Sequence, residues 1–317
     1  MDVIKMKRTK IILDCDPGHD DSLALTMAAA SDCIELLAVT TSAGNQTPDK
    51  TLNNALRMLT LLNATDVPVA SGNQRPLMRH LKIADYVHGE TGLDGAELPA
   101  PSFEPQDCGA VELIAKVLKA QAEPITLVVT GPMTNIALFL RVHPELEDKI
   151  KQIVFMGGAA GQGNVMPTTE FNMAVDPEAA KIVINEGIPL VMAGLNVTLK
   201  AQIRPDDLKR IKAINNPVAQ VIAGQMDFYG EWYGQDKFGL AGTPVHDPCT
   251  IAYLLKPEIF EAHNAYIDVE TQGSLTAGET VVDFTGLMEK DNNAKVLMDL
   301  DREQFVEMVI ELLRKFN

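Results

Sequence analysis

Four carboxylates stand within eight residues near the start of the chain, at Asp14, Asp16, Asp20 and Asp21. Acidic groups so close together repel one another, and the repulsion is relieved by protonation or by a bound cation. Ligation by oxygen alone selects a hard ion, Ca²⁺ or Mg²⁺, and Ca²⁺ tolerates an irregular shell of roughly 6 to 8 oxygens. The sequence therefore favours a Ca²⁺ site with Asp16 and Asp21 as ligands.

Helix capping is the simpler explanation for the same acids, because an aspartate at the start of a helix accepts hydrogen bonds from free backbone N–H groups. One cap at Asp20 accounts for one or two carboxylates. Four in eight residues leave an excess, so the metal site is preferred.

Strand, turn and helix signals surround these acids. The β-branched run Ile11-Ile12-Leu13 predicts a short strand, Pro17-Gly18 predicts a turn, and helical spacing of apolar residues begins at Leu23. The carboxylates are therefore expected at the carboxyl end of a strand, where open α/β sheets bind their ligands.

The rest of the chain repeats this alternation. Apolar runs predict strands at 34–41, 67–70, 125–130, 150–156, 188–193, 265–270, 279–284 and 294–297. Helices are predicted at 48–62, 110–120, from Asp176, at 204–233, after Pro248 and at 302–315. We expect a doubly wound, mostly parallel open sheet of the Rossmann-like class with helices on both faces and a smaller C-terminal strand and helix portion. Residues 1–317 are expected to form a single domain.

Composition limits the function. The 317 residues are 46% hydrophobic and 22% charged, which supports a sizeable core. The 27 basic and 43 acidic residues give a formal charge of −16. That charge disfavours nucleic acid or an anionic membrane as the main partner, and a small neutral or cationic ligand fits better.

The cysteines and the start of the chain bear on location. Cys15, Cys33, Cys108 and Cys249 lie far apart and form no Cys-x-x-Cys pair, so reduced thiols in a cytosol are expected and a zinc site is not. Residues 1–8 lack the apolar core of a signal peptide, and no apolar run reaches transmembrane length. We expect a cytoplasmic protein.

Several further segments are ambiguous taken alone. Asp247 in His-Asp-Pro is an ordinary helix cap or a metal ligand, and Thr130 ends a strand or offers its carbonyl to a ligand. The glycine-rich loop after Met156 does not match the G-x-G-x-x-G dinucleotide pattern. His88 stands in a long irregular stretch, 71–105, which favours a functional loop.

Seven motifs together resemble the inosine/uridine-type nucleoside hydrolases, and most closely the bacterial pyrimidine-specific ribonucleoside hydrolases. The motifs are Ile-Leu-Asp14-Cys-Asp16-Pro-Gly-His-Asp20-Asp21, Ala43-Gly-Asn45-Gln-Thr, His88-Gly-Glu-Thr-Gly-Leu-Asp, Val129-Thr130-Gly-Pro, Met156-Gly-Gly, Glu170-Phe-Asn172 and His246-Asp247-Pro-Cys-Thr. The resemblance runs almost end to end.

The resemblance implies hydrolysis of the N-glycosidic bond of ribonucleosides, uridine and cytidine preferred, to ribose and free base. It implies a Ca²⁺ held by Asp16, Asp21, the main-chain carbonyl of Thr130 and Asp247, with Asp16 also the general base that activates a metal-bound water. Positions matching ribose-binding residues are Asp20, Asn45, Asn164, Glu170 and Asn172, with Met156 packing against the sugar and Asp14 in support. His88 is assigned to substrate binding. A homotetramer or homodimer is typical of such proteins.

The residue types suit that chemistry. Breaking a C1′–N bond builds positive charge on the ribose ring, which an acidic pocket stabilises. A site that binds the 2′ and 3′ hydroxyls would disfavour a deoxyribose, because the buried polar groups that bind the missing hydroxyl would be left unpaired.

Leaving-group activation is where this chain departs from its relatives. His246 matches the histidine that protonates the base in purine-cleaving relatives. Some pyrimidine-preferring relatives have a tyrosine where this chain has Phe238, which cannot donate a proton. His246, His88, Tyr229 or Tyr233 are the alternatives that remain. Asn196 also stands where relatives commonly have aspartate.

Two other functions compete. A Mg²⁺-dependent phosphohydrolase of the haloacid dehalogenase type also places Asp14-Cys15-Asp16 after a strand, but no lysine stands in a suitable strand-end context. The other competitor is a nucleoside-binding protein without turnover.

Overall fold

The computed structural model describes residues 8–234 and 238–316. Its strands are β1 (Thr9–Cys15), β2 (Ile34–Thr41), β3 (Val69–Ser71), β4 (Ile125–Val129), β5 (Ile150–Met156), β6 (Leu190–Ala193), β7 (Gln202–Ile203), β8 (Thr243–Pro244), β9 (Phe260–Val269), β10 (Thr280–Asp283) and β11 (Ala294–Leu300). Its α-helices are α1 (His19–Ala30), α2 (Pro48–Leu61), α3 (Asp85–His88), α4 (Ala110–Ala120), α5 (Thr134–Val142), α6 (Phe171–Val175), α7 (Pro177–Ile184), α8 (Leu195–Thr198), α9 (Pro205–Lys212), α10 (Pro217–Tyr233), α11 (Pro248–Leu255) and α12 (Arg302–Leu313).

Within those residues, nine strands form one sheet in the order β10-β9-β11-β6-β5-β4-β1-β2-β3. Neighbours from β11 through β3 pair in parallel, whereas β9 pairs antiparallel with both β11 and β10. This confirms the predicted doubly wound, mostly parallel α/β fold. The C-terminal strands are not a separate layer, because β11 joins β6 and continues the main sheet.

Helices cover both faces of the sheet, each against its own hydrophobic core. One core includes Leu23 and Met27 of α1, Phe305 of α12 and Met226 of α10. The other includes Phe139 of α5, with further apolar side chains from α4 and α7. Parallel strands buried on both faces explain why their sequences read as continuous apolar runs.

The path of the chain creates a crevice beside β1. After β1 the chain builds β2 and β3 on one side, and it then crosses to place β4 on the other side of β1. Ligands bind at such a switch point, outside the carboxyl ends of the strands. The ends of β1 and β4 carry Asp14 to Asp16 and Thr130, so two candidate segments meet here.

A few details differ from the sequence prediction. Strand β9 begins at Phe260 rather than at Ala265, and the irregular stretch 71–105 contains the one-turn helix α3, which carries His88. None of the helices in the described part of the chain has the length and apolarity that a bilayer span needs. The prediction that residues 1–8 lack the apolar core of a signal peptide falls mostly outside the described residues, which begin at residue 8.

Candidate active site

Three carboxylates from two distant segments meet at the crevice. Asp20 and Asp21 lie in the first turn of α1, and Asp247 is the residue before α11. One oxygen from each of the three lies within 4.8 Å of the others, and all three residues are buried. The group has the oxygen-only donor set that hard divalent cations prefer.

Asp21 is fixed in place by polar groups on three sides. Its carboxylate accepts hydrogen bonds from the backbone N–H of Gly18 at 3.0 Å, the hydroxyl of Thr130 at 2.7 Å and the side-chain amide of Asn45 at 2.9 Å. The N-cap of α1 is therefore Gly18, with Asp21 closing the turn. The cap predicted at Asp20 is therefore wrong, and capping applies to Asp21, which accounts for one of the acids.

Asp16 lies under the same crevice and is not part of the three-carboxylate group. Its Oδ2 accepts from the backbone N–H of Asn45 at 2.7 Å, whereas its Oδ1 is buried and without a hydrogen-bond partner in the described structure. Glycine at positions 44 and 131 makes room for this carboxylate, because an added Cβ would lie 2.2 Å from Oδ2 or 2.7 Å from Oδ1. A buried carboxylate oxygen without a partner is costly unless a ligand meets it.

Burial shifts the titration of the whole cluster. It raises the pKa of Asp20 and of Asp21 to about 6, and it raises that of Asp16 and of Asp247 well above the usual range. Repulsion among the neighbouring carboxylates adds to the effect on Asp16, Asp21 and Asp247. A divalent cation would favour the charged carboxylates and so lower these pKa values again, and the residues present therefore fit a metal ion.

Asp14 supports this arrangement from below. Its Oδ1 accepts from the hydroxyl of Thr40 at 2.5 Å and from the side-chain amide of Asn135 at 2.8 Å. Burial nevertheless raises its pKa to about 7. No sequence motif pointed to Thr40 or Asn135, since neither stands near an acidic motif.

A cleft with about 710 Å³ of empty space opens above the acids. The residues predicted to bind the substrate or to meet the nucleobase line it, together with two of the four predicted metal ligands, Thr130 and Asp247. The lining candidates are Asp20, Asn45, His88, Thr130, Met156, Asn164, Glu170, Asn172, Tyr229, Tyr233, Phe238, His246 and Asp247. Asp16 and Asp21 are not among the lining residues. Tyr86, Val87, Val165 and Trp232, which the prediction did not name as site residues, also line the cleft.

One wall of the cleft is polar and is built by the loop after β5. The Glu170 carboxylate accepts from the backbone N–H groups of Gly158, Asn172 and Met173, so it holds the glycine-rich loop against α6. Burial raises the pKa of Glu170 to about 7. The side-chain amide of Asn172 donates to the carbonyl of Thr130 at 2.7 Å and to that of Met156 at 3.2 Å.

Thr130 therefore contributes two groups to this region. Its hydroxyl is donated to Asp21, and its carbonyl already accepts from Asn172. A carbonyl oxygen has two lone pairs, so the second one is available to a cation.

The opposite wall is aromatic and carries a histidine. Nε2 of His246 lies 2.8 Å from the hydroxyl of Tyr233, and its Nδ1 lies 2.8 Å from the hydroxyl of Thr198. Burial lowers the pKa of His246 to about 4. The ring of Phe238 packs against that of Tyr233, with 6.2 Å between centroids. Thr198 was missed, because its place at the end of α8 carries no signal in the sequence.

Asn196 has a clear structural task. Its side-chain amide donates to the carbonyl of Leu297 at 2.5 Å, and its Oδ1 accepts from the backbone N–H of Ala160 at 3.2 Å. The residue thereby ties the glycine-rich loop to β11. An aspartate has no proton to donate to the Leu297 carbonyl, so the amide suits both contacts.

Comparisons with known proteins show the family to which the chain belongs. The family model "Inosine-uridine preferring nucleoside hydrolase" matches residues 11–307. The chain is 58% identical over 304 residues to the "Pyrimidine-specific ribonucleoside hydrolase RihA" of Escherichia coli O7:K1, covering 96% of this chain and 98% of that protein.

Solved structures give the same result. A purine-preferring ribonucleoside hydrolase from Gardnerella vaginalis superposes with a TM-score of 0.90 at 32% identity, covering 96% of this chain and 98% of the other. A plant nucleoside hydrolase, PpNRh1, also gives a TM-score of 0.90, at 28% identity over 96% and 99% of the two chains. Neither the phosphohydrolase nor the non-catalytic alternative is favoured by these matches.

Proposed function

The chain belongs to the family of inosine-uridine preferring nucleoside hydrolases, and from this premise we propose that it is a Ca²⁺-dependent hydrolase of pyrimidine ribonucleosides. It cleaves the N-glycosidic bond, and the products are ribose and the free base. The 58% identity to a pyrimidine-specific relative supports uridine and cytidine as preferred substrates. One observation carries the metal site: oxygens of Asp20, Asp21 and Asp247 lie within 4.8 Å of one another, and Asp20 and Asp247 line the cleft.

The proposed ligands are Asp16, Asp21, the carbonyl of Thr130 and Asp247. When bound, the cation would attract the ribose hydroxyls and lower the pKa of water. The geometry adds Asp20 as a group close to two of these ligands, and Asp20 is also proposed to contact the sugar.

Asp16 is the proposed general base. Its Oδ1 is buried without a partner, which leaves a lone pair free to take a proton from the water that attacks C1′.

The sugar is proposed to lie between the acidic floor and the polar wall. Hydroxyls would meet Asp20, Asn45, Asn164, Glu170 and Asn172, and Met156 would pack against the ring. As the C1′–N bond breaks, positive charge develops on the ribose ring, and the surrounding carboxylates stabilise it.

His246 is proposed to activate the leaving base together with Tyr233. Their 2.8 Å contact supplies the hydroxyl that Phe238 lacks. A neutral imidazole that meets one hydroxyl at each nitrogen has one donating and one accepting nitrogen, so the chain from Tyr233 to Thr198 can pass a proton. Tyr229 and His88 are the other groups of the cleft that the sequence offered for this role.

Three further proposals concern the whole molecule. Residues 1–317 form a single nucleoside hydrolase domain, which a family match over 11–307 supports. The protein acts in the cytoplasm, where the four free cysteines would stay reduced. It assembles as a homotetramer or homodimer and binds neither nucleic acid nor membrane.

Release of reducing sugar from uridine, cytidine and inosine tests the proposal. We expect turnover of uridine and cytidine to exceed that of inosine, to stop with excess chelator and to return with added Ca²⁺. Base release that is unchanged after exhaustive removal of divalent ions would contradict the metal site. Phosphate release from ribose 5-phosphate without base release from uridine would point to a phosphohydrolase instead.

A further inference from the structure

His19 is the first residue of α1, next to Asp20 and Asp21, and its ring lies between a backbone carbonyl and the ring of His88. Its Nε2 lies 2.8 Å from the carbonyl oxygen of Asp94, and its Nδ1 lies 2.9 Å from Nδ1 of His88. His19 has no task in the proposed chemistry, and His88 has a proposed contact with the substrate and a place among the candidates for leaving-group activation. Two imidazole nitrogens that face each other must be one donor and one acceptor.

The carbonyl of Asp94 decides which nitrogen of His19 carries the proton. A carbonyl oxygen only accepts, so Nε2 of His19 is the donor. The side chain is fully buried, and its ring nitrogens meet a carbonyl and an imidazole, so a charged ring here would be desolvated without a counter-ion in hydrogen-bond contact. The ring is therefore neutral, and its Nδ1 has a lone pair.

His88 must then donate from its own Nδ1. The proton lies between the two Nδ1 atoms and belongs to His88, so Nε2 of His88 is left without one. Nδ1 of His88 faces His19 and Gly18, and a Cβ added to Gly18 would lie 2.7 Å from this nitrogen. His88 also lines the cleft, so Nε2 is the ring nitrogen that remains available to a ligand there. Within the described residues, Nε2 of His88 has no hydrogen-bond partner.

One contact opposes this assignment. The backbone N–H of His19 lies 3.3 Å from Nδ1 of His88 and would favour an unprotonated nitrogen there. That alternative needs protons on both ring nitrogens of His19, because Nε2 still donates to Asp94. It would bury a cation whose ring hydrogen bonds, within the described residues, go only to a carbonyl and an imidazole, which is costly.

Aromatic packing holds the two rings in register. His19 is stacked against His88 at 5.2 Å between centroids and against Phe228 and Tyr229 at 5.4 Å. Rotation of either ring would break the stack together with the hydrogen bonds. The pair is therefore set in one orientation before a ligand arrives.

We propose that His19 is a positioning residue that fixes the tautomer of His88, so that Nε2 of His88 accepts a hydrogen bond from a hydroxyl or N–H group of the nucleoside. The proposal rests on the proposed function for the identity of the ligand. It also removes His88 from the candidates for protonating the base, because a neutral ring with an unprotonated Nε2 has no proton to give on that side. His246 and the tyrosines remain for that role.

Nitrogen-15 spectra of the full-length enzyme labelled at histidine measure the tautomer directly. The His88→Gln variant assigns the signals by their disappearance. We expect His88 to carry its proton on Nδ1 and His19 on Nε2, with and without Ca²⁺. A wild-type spectrum in which His88 is protonated on Nε2 overturns the proposal, whatever the enzyme's activity. Because this readout needs no turnover, it separates failure of this inference from failure of the proposed function.

Two substitutions of His19 extend the test. His19→Phe keeps a stacking ring but has no acceptor, so His88 should populate the other tautomer and kcat/KM for uridine should fall about three- to tenfold, the worth of one neutral hydrogen bond. His19→Asn places an oxygen near the position of Nδ1 and should retain the tautomer and most of the rate.

Phe228→Leu is the matched control, since Phe228 stacks on His19 without a hydrogen bond. We expect the tautomer of His88 to stay unchanged in this variant. An unchanged tautomer and unchanged kcat/KM in His19→Phe would contradict the proposal. If His19→Phe does not fold, the wild-type spectrum decides alone.

Discussion

The acidic floor and the aromatic wall of the cleft are built in different ways. Asp16 and Asp21 are 0% and 1% exposed, lie at strand and helix ends, and are held by backbone N–H groups and buried side chains. Tyr86 is 54% exposed and meets Trp232 edge to face at 5.2 Å, on the short helix α3 and at the end of α10. The floor, which is proposed to bind the sugar, is therefore preorganised, whereas the part of the wall formed by Tyr86 keeps some freedom.

This difference predicts large effects for changes at the floor and small effects for changes at the wall. The largest loss of activity should follow from a change in the substrate. A 2′-deoxyuridine lacks a hydroxyl that buried carboxylates and amides are proposed to bind, so those groups would be desolvated without a partner. We expect kcat/KM about 10⁴-fold below that for uridine. Initial rates of sugar release over a range of substrate concentrations measure the ratio.

Uridine with a methyl group on C5 of the base is the matched comparison, because it changes only what the aromatic wall meets. Its kcat/KM should stay within about tenfold of that for uridine, as befits a single methyl group. Equal penalties for the two substrates would remove the distinction between the floor and the wall.

Asp16→Asn should give the next largest effect. The amide keeps the size of the side chain but cannot take a proton, so kcat for uridine should fall by about 10²–10⁴. Retention of more than about a tenth of the rate would argue against Asp16 as the base. Steady-state kinetics at saturating Ca²⁺ make the measurement.

Asp32→Asn controls for the loss of one negative charge. Asp32 is exposed and is paired with Lys315 far from the cleft, so this variant should keep wild-type kinetics. A similar loss in both variants would indicate an effect of net charge and not of the general base.

The floor was also the part that the sequence predicted best. Asp14, Asp16, Asp20 and Asp21 are close in sequence, and parallel strands bring their carboxyl ends to one edge of the sheet. Local signals were therefore enough to place these acids at a crevice. The position of Asp247 close to these acids could not be predicted from local signals, because its own sequence context is also that of an ordinary helix cap. Only the resemblance to a family predicted that Asp247 shares a metal site with Asp16 and Asp21.

The wall was less predictable, for a physical reason. Tyr233 lies at the end of a helix and His246 in a separate loop, so no periodic pattern in the sequence predicts their contact. His19 was hidden inside the acidic motif, and its pairing with His88 joins residues 69 positions apart. Side chains that meet only through tertiary packing leave no pattern in a single sequence.

Tyr233→Phe tests the leaving-group end of the wall. Loss of the hydroxyl that meets His246 should lower kcat for uridine about two- to tenfold, the range for one hydrogen bond. A p-nitrophenyl riboside needs no proton on its leaving group, so its hydrolysis should be almost unaffected. Tyr253→Phe is the control, because Tyr253 lies on α11 and packs against Phe260 outside the cleft. Equal losses on both substrates would place Tyr233 in a role other than leaving-group activation.

Tyr86→Ala should have the smallest effect of all. The ring is more than half exposed, so its removal costs less than the full value of a buried aromatic pair, and KM for uridine should rise about two- to threefold. The value of kcat should not change, because a contact that is equally strong in the ground state and the transition state contributes only to binding. A fall in kcat approaching that of Asp16→Asn would mean that the wall, too, is preorganised around the reacting bond. Exposure would then be a poor guide to which end of this cleft does the chemistry.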